Sequence, residues 1–553
     1  MPTRPTPRAA PRPPARALPA AIVCAAALAA CLPLLIHAPL PAGSDVYANQ
    51  HYLQAFMKAF SEGDLYPRWT DTTNQGMGGP SFLLFPPLAF YGAGAASWLA
   101  GSTIGGLKLY VMAVTLLSGF AFHALARQWA GPGIPAAIAA AVYVLLPYRI
   151  LDVYQRFALS ETTAFVFLPL ILLFARRAML AARPLDVAGL ALAYAGLIAT
   201  HLASTLIVSL FLMVWLVWEA RAAWRSLLRP AAALACGAAM AGPVLLPAMI
   251  GKRHANISWV REMPNGHYRI NFLFKDDVLP GLGFKDPVKP PVLKSAHTQL
   301  ALAMVAAAMA WAWTAASQRR RRADVAALAA ACAAAYLLQV EISDPVWRII
   351  PELATVQFPW RFQTLMVLTA ALAAAYALSS GWGRAGGAGA ASRPVLGAAG
   401  LLLGVVLLAN LAASLQNAYL KPFAYTVEIN NGAGVRGWVE PALTPRQFSG
   451  YRTFKRTPIE MPEASFAEGT GEATVEDWAS SRRRLAVQSA SGGVVRLRSF
   501  WFPGWKATLD GEPLETLAWP PFAALSFRVP PGRHVAEVRF APAASRRAGA
   551  WSA

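Results

Sequence analysis

Apolar runs of about 20 residues recur along this chain, and they limit its fold more than any motif does. Segments 18–40, 105–126, 296–316 and 360–379 are four of them. In hydrocarbon, a segment of that length satisfies its own backbone only as a helix. A soluble helix needs one apolar stripe, so runs that are apolar on every face point to lipid. Composition agrees, with 56% of the 553 residues hydrophobic and 14% charged, against roughly 25% charged in soluble domains. The predicted fold class is mainly α, a polytopic transmembrane helical bundle. The net charge of +21 then reads as Lys and Arg in cytoplasmic loops, with no nucleic-acid partner implied. The cysteines Cys24, Cys31, Cys236 and Cys332 all lie in apolar segments and have neither a disulfide framework nor zinc spacing.

The arginines set the direction of the spans. Loops holding Arg127, Arg176 with Arg177 and Arg183, Arg221 with Arg225 and Arg229, Arg319 to Arg322, and Arg384 with Arg393 are expected in the cytoplasm. A Pro- and Arg-rich tail, residues 1–17, is expected to be disordered and to lie inside as well. The map then closes with about eleven spans. Segment 18–40 goes out, 105–126 returns, 134–147 goes out and 161–175 returns. A hairpin of 187–200 and 203–218 follows. Then 230–250 goes out, 296–316 returns, 325–340 goes out, 360–379 returns and 394–415 goes out. The segment "FLLFPPLAFYGAGAASWLAG", 82–101, would invert the later loops if it spanned. Its Pro-Pro start and small residues suit an interfacial or re-entrant helix instead. The transmembrane domain, 18–415, therefore carries outer loops at 41–104, 148–160, 251–295 and 341–359.

From residue 416 the pattern shortens. Alternating stretches such as "GVVRLRSFWFPGWKATLDGEPLETLAW" are cut by turn pairs such as Asp510-Gly511, which predicts an extracytoplasmic β-sandwich over 416–553. Trp501, Trp505 and Trp519 either fill its core or stack on sugar rings.

Several charged residues fall in the outer segments. Asp45 follows the first span in "GSDVYANQHYLQAFMKAFSEGDLYPRW". It either caps the amphipathic helix after it or stands at the membrane surface as a proton acceptor. His51 and Arg68 lie in the same loop. "LPYRILDVYQRFALSE" holds Arg149, Asp152, Arg156 and Glu161 between two spans. Pairing of Arg149 with Asp152 and of Arg156 with Glu161 is the simple expectation, and a task at a membrane site is the other. Arg361, in "VQFPWRF", either snorkels to lipid phosphate or binds a substrate phosphate. His201 stands at the hairpin turn, as a turn residue or a site residue. The outer segment 251–295 is unusually basic, which suits an anionic ligand or lipid headgroups. No glycine-rich phosphate loop is present, so a nucleotide is not expected to drive the chemistry.

These stretches, with "NQGMGGPSFLLFPPLAFY" and the tail "FWFPGWKATLDGEPL", resemble the membrane proteins labelled pyruvoyl-tetrahydropterin synthase-related and the YfhO-like branch. Both are placed in the GT-C superfamily of integral-membrane glycosyltransferases. The resemblance implies sugar transfer from a polyprenyl-phosphate-linked donor to a glycan, lipid or protein acceptor, at the outer face of the bacterial inner membrane. It implies that Asp45 is the acidic residue of the first outer loop that acts as, or positions, the catalytic base on the acceptor. His51, Arg68, Arg149, Arg156, Glu161, His201 and Arg361 are the candidate substrate-binding residues. Many members carry two adjacent acids where this chain has Ser44 and Asp45, so a divalent metal is left open. Two other readings share these features: a non-catalytic protein that binds or moves a lipid-linked glycan, and a structural subunit of an envelope assembly.

The topology is directly testable. Ser44→Cys is expected to react with a membrane-impermeant maleimide in intact cells. Reaction only after permeabilisation would place the loop in the cytosol and remove the outer-face site.

Overall fold

The computed structural model describes residues 17–131, 133–180, 183–221, 223–256, 267–275, 288–314, 318–385 and 461–541, with a few positions between 386 and 460. The tail 1–16, the predicted boundary at 416 and all but three positions of the predicted span 394–415 lie outside the described residues.

The long apolar runs form helices, as their length demands. Six are long and apolar enough to cross a membrane: Ala17–Ile36, Thr103–Ala130, Leu159–Leu180, Leu202–Ala220, Lys289–Trp313 and Pro359–Ser380. Three more spans appear only if bent helix pairs are counted as one each. The described residues therefore hold six to nine spans, and the expected eleven is corrected. The physical reason is local. Leu146 precedes Pro147 and takes the extended ψ of 142° that a following proline imposes, so the run from Ile134 breaks into two helices inclined by 43°. Breaks of 63° and 94° divide the runs that start at Trp224 and Arg319. The first arm of the predicted hairpin, Pro184–Ile198, is too short for a straight span. Segment 82–101 makes two short helices, Ser81–Leu84 and Leu88–Ala100, separated by the Pro86-Pro87 pair.

The Pro359–Ser380 span is the central one, with 89% of its apolar window buried. Its run "LTAALAAAYA" lets neighbouring helices approach closely. It packs against Lys289–Trp313, Arg319–Leu337 and Ile134–Leu145.

The C-terminal unit has nine described antiparallel strands in two sheets. One sheet has the order β1-β4-β8-β7 and the other β2-β3-β9-β5-β6. Here β1 is Ala464–Gly469, β2 Glu472–Ala479, β3 Arg482–Ser489, β4 Gly493–Phe500, β5 Trp505–Leu509, β6 Glu512–Leu514, β7 Leu517–Trp519, β8 Ala524–Val529 and β9 Gly532–Phe540. The β5–β6 hairpin turns at Asp510-Gly511, both at positive φ, as a two-residue hairpin turn requires. Trp505 is buried in the core, with Trp501 and Trp519 packed at its edge.

That core is not made by the strands alone. Trp69, Met77 and Leu83, from the segment after the helix Val46–Ser61, complete it. The Trp69 ring lies 5.1 Å from that of Trp505 and 4.9 Å from that of Phe540. Gly78, at φ +74°, lets the loop close over the indole, since a Cβ there would fall 2.6 Å from Trp69 Nε1. Phe500 N–H donates to Met77 O at 2.6 Å. A polar latch lies beside the contact. Lys58 Nζ donates to Glu62, Asp71 and Ser480 at 2.6, 2.8 and 3.2 Å, and Ser480 N–H and Oγ return bonds to Glu62 and Asp71. Burial disfavours the Lys58 charge, yet its hydrogen bonds to Asp71 and Glu62 outweigh that and raise its pKa.

Trp69→Ala should cost about 3–5 kcal/mol and free the sandwich from the loop. Faster cleavage between the two units in limited proteolysis is the expected readout; an unchanged rate would show that the docking does not depend on this ring.

Candidate functional site

The chain between two helices builds the site. After Pro147–Leu151, residues Asp152–Arg156 form a π-helical turn that ends at Phe157, at a left-handed φ of 56°. Such a conformation is strained for a residue with a side chain, by about 1–3 kcal/mol. Asn49 Nδ2, from the helix Val46–Ser61, donates to Phe157 O at 2.7 Å and helps to hold it. The turn projects Arg156 into the bundle. Its Nη1 donates to Asp152 Oδ1 at 2.7 Å and Glu161 Oε2 at 2.8 Å.

Glu161 lies in the first turn of Leu159–Leu180, where the helix N-terminus favours a negative charge. It accepts from Tyr148 Oη at 2.7 Å and Thr364 Oγ1 at 3.2 Å. Arg361 Nε stands 3.7 Å from Glu161 Oε2. Arg361 is held by Val356 O at 2.7 Å and lies over the Phe358 ring. Its side chain is 15% exposed and turns toward the cluster, so it does not snorkel to lipid.

Asp45 meets this cluster through the backbone. Ser44 N–H donates to Gln155 O at 3.1 Å, and Asp45 N–H donates to Arg156 O at 2.7 Å. Gly43 makes the approach feasible, because a Cβ there would fall 2.7 Å from the Arg156 carbonyl carbon. Asp45 occupies the N-cap position of Val46–Ser61 but makes no side-chain cap bond. Its Oδ2 instead lies 3.7 Å from Arg156 Nη2, with 43% of the side chain exposed against 4% for Arg156. Capping is thus not what this carboxylate does.

The remaining candidates divide. His201 caps Leu202–Ala220, its Nδ1 accepting from Ser204 N–H at 3.3 Å, and it interacts electrostatically with Glu161, Arg361 and Arg156. Arg149 turns inward, donating to Ser118 Oγ at 2.8 Å and lying 4.3 Å over Phe165. The expected Arg149–Asp152 pair is replaced by Arg156–Asp152, whereas Arg156–Glu161 forms. His51 is buried within Val46–Ser61, and burial pushes it down to about 4, so it is neutral at physiological pH. Arg68 lies 4.6 Å over Tyr66 and interacts with Asp64 and Tyr91, away from Glu161. Part of the basic segment 251–295 lies outside the described residues.

Sequence reading passed over Gly43, Asn49, Tyr148 and Thr364. Thr364 had a signal, being one helical turn after Arg361; the others had none beyond proximity to charged residues.

Among the described residues, no group of three or more His, Cys, Asp or Glu is placed to hold a metal. Ser44 Oγ donates to Asp45 at 3.0 Å, and the nearest charged neighbour of Asp45 is a guanidinium. That donor set does not fit a divalent cation.

Glu161→Gln leaves a buried guanidinium short of one counter-charge. A loss of about 3–5 kcal/mol is expected, read as lower thermal stability of the full-length protein in detergent; an unchanged midpoint would remove Glu161 from the framework.

No curated protein matches the chain significantly. Among solved structures, it is similar to the arabinofuranosyltransferase AftD from Mycobacteria, at 18% identity and TM-score 0.45, over 73% of this chain and 26% of that one. The chain thus spans about a quarter of that protein's length. It is similar to ArnT from Cupriavidus metallidurans, bound to undecaprenyl phosphate, at 15% identity and TM-score 0.35, over 68% of this chain and 80% of that one. It is also similar to the oligosaccharyltransferase of Archaeoglobus fulgidus tethered with an acceptor peptide, at 12% identity and TM-score 0.42, over 77% and 60%. Residues 82–419 match the model of the membrane-protein family described as 6-pyruvoyl-tetrahydropterin synthase related domain, and the chain belongs to that family.

Proposed function

We propose that this protein is an integral-membrane glycosyltransferase of the bacterial inner membrane. It transfers a sugar from a polyprenyl-phosphate-linked donor to a glycan, lipid or protein acceptor at the outer face. The observation that carries this reading is the half-exposed Asp45 carboxylate, released from helix capping and pinned by backbone hydrogen bonds beside a buried arginine cluster.

The chemistry is a single displacement. The acceptor hydroxyl oxygen forms a bond to the anomeric carbon while its proton passes to Asp45. The bond from that carbon to the phosphate oxygen breaks, and its electrons leave with the lipid phosphate. The configuration at the carbon inverts. Arg361 is the cation best suited to the departing phosphate. Arg156 is committed to two carboxylates, whereas Arg361 Nε has no hydrogen-bond acceptor among the described residues. Developing negative charge near fixed guanidiniums, in a site partly shielded from water, is stabilised without reorganisation. The buried Asp152 and Glu161 hold the arginines in place and are positioning residues.

The deciding experiment uses a deletion strain whose envelope glycans are profiled by mass spectrometry. The wild-type gene should restore the missing glycan. Asp45→Asn should not, with transfer reduced by about 10²–10⁴-fold while membrane insertion and thermal stability stay normal. Restoration by the Asn variant would take Asp45 out of the mechanism. A wild-type protein that retains lipid-linked glycan without turning it over would assign the non-catalytic binder reading instead.

A further inference from the structure

The Leu159–Leu180 helix carries Glu161 in its first turn and Arg176 near its last, about 22 Å apart by helical rise. At the Arg176 end a narrow cleft of about 120 Å³ opens between helices. Its walls are the rings of Trp129, Phe211, Trp215, Trp218 and Tyr376, over an Ala and Leu floor. Four guanidiniums lie against residues that line it, and form its rim. Arg176 lies 4.6 Å over Trp129, Arg221 4.3 Å over Trp218 and Arg321 5.4 Å over Tyr376, while Arg320 pairs with Glu219 at 3.1 Å.

The two carboxylates in the cleft are already engaged. Besides the Glu219–Arg320 pair, Asp324 accepts from Trp218 Nε1 at 3.2 Å and Tyr376 Oη at 3.4 Å, with Arg221 3.7 Å away. They orient the rim and leave little for a cationic ligand. Against them, four arginines give the rim a net charge of +2. The Nε atoms of Arg176 and Arg321 are buried with no hydrogen-bond partner among the described residues. A slot that is apolar below and cationic above, with donors left over, complements an amphiphile with an anionic head.

We propose that this cleft binds one anionic phospholipid, its phosphate at the arginine rim and an acyl chain along the aromatic wall. The site is separate from Asp45 and stands whether or not the transferase reading holds. The basic loops at this end make the cytoplasmic leaflet its source.

Native mass spectrometry of the full-length protein in detergent, titrated with phosphatidylglycerol or phosphatidylcholine, tests the proposal. One phosphatidylglycerol should be retained, with at least tenfold preference over phosphatidylcholine. The double variant Arg176→Gln/Arg321→Gln should weaken that retention by about tenfold or more. Equal retention of the two lipids would overturn the proposal, as would an unchanged affinity in a folded double variant. Displacement of phosphatidylglycerol by millimolar inorganic phosphate would show that no acyl chain is held, and would overturn it too. Should the double variant fail to fold, the wild-type comparison of the two lipids decides alone.

Discussion

A single buried cation organises one end of the bundle. Stripping water from a guanidinium costs several kcal/mol, recovered only if its counter-charges are close and well oriented. Arg156 meets that condition by gripping Asp152 on its own turn and Glu161 on the next helix. Glu161 in turn reaches Tyr148 and Thr364, and stands beside Arg361. Three separate parts of the chain are tied by one charge network. The cost of breaking it fixes the π-helical turn, and that turn is the platform on which Gly43 to Asp45 rest.

The platform explains why a loop residue can have a defined place. Surface loops ordinarily move. Here Val46–Ser61 is held at both ends. Asp45 and Asn49 bond to the backbone at Arg156 and Phe157 at its start. Lys58 and Glu62 bond to Ser480 of the β unit at its end. With Trp69 seated in the sandwich core, the β unit acts as a buttress for the loop after the first helix. The same contact places it against the segment that carries the candidate acid.

Much of the framework was legible in the chain. Length and apolarity alone give helices in lipid, since no other open structure satisfies the backbone there. The Asp510-Gly511 turn and the short alternating strands gave the β unit. Span counting was less secure, because hydropathy registers apolar length and is blind to bends. The pre-proline residue Leu146 and the break after Met240 each divide a run that reads as continuous. The site was legible as a set of segments and not as a set of partners. Arg149 and Arg156 sit seven residues apart in one polar stretch, yet one turns to Ser118 and the other to two carboxylates. A single π-type turn decides which, and nothing in the sequence marks it.

What the sequence determined by itself was therefore the solvent of each segment: which stretches belong in hydrocarbon, which at its surface and which in water. Transfer free energy is a sum over side chains and needs no neighbours. Tertiary structure alone decided who faces whom. It took Asp45 out of its capping role, sent Arg68 to Tyr66 and Arg361 to Glu161, and lent Trp69 to a domain some 400 residues further on. Those pairings are set by directional bonds and close packing between distant segments, which no local reading of the chain contains.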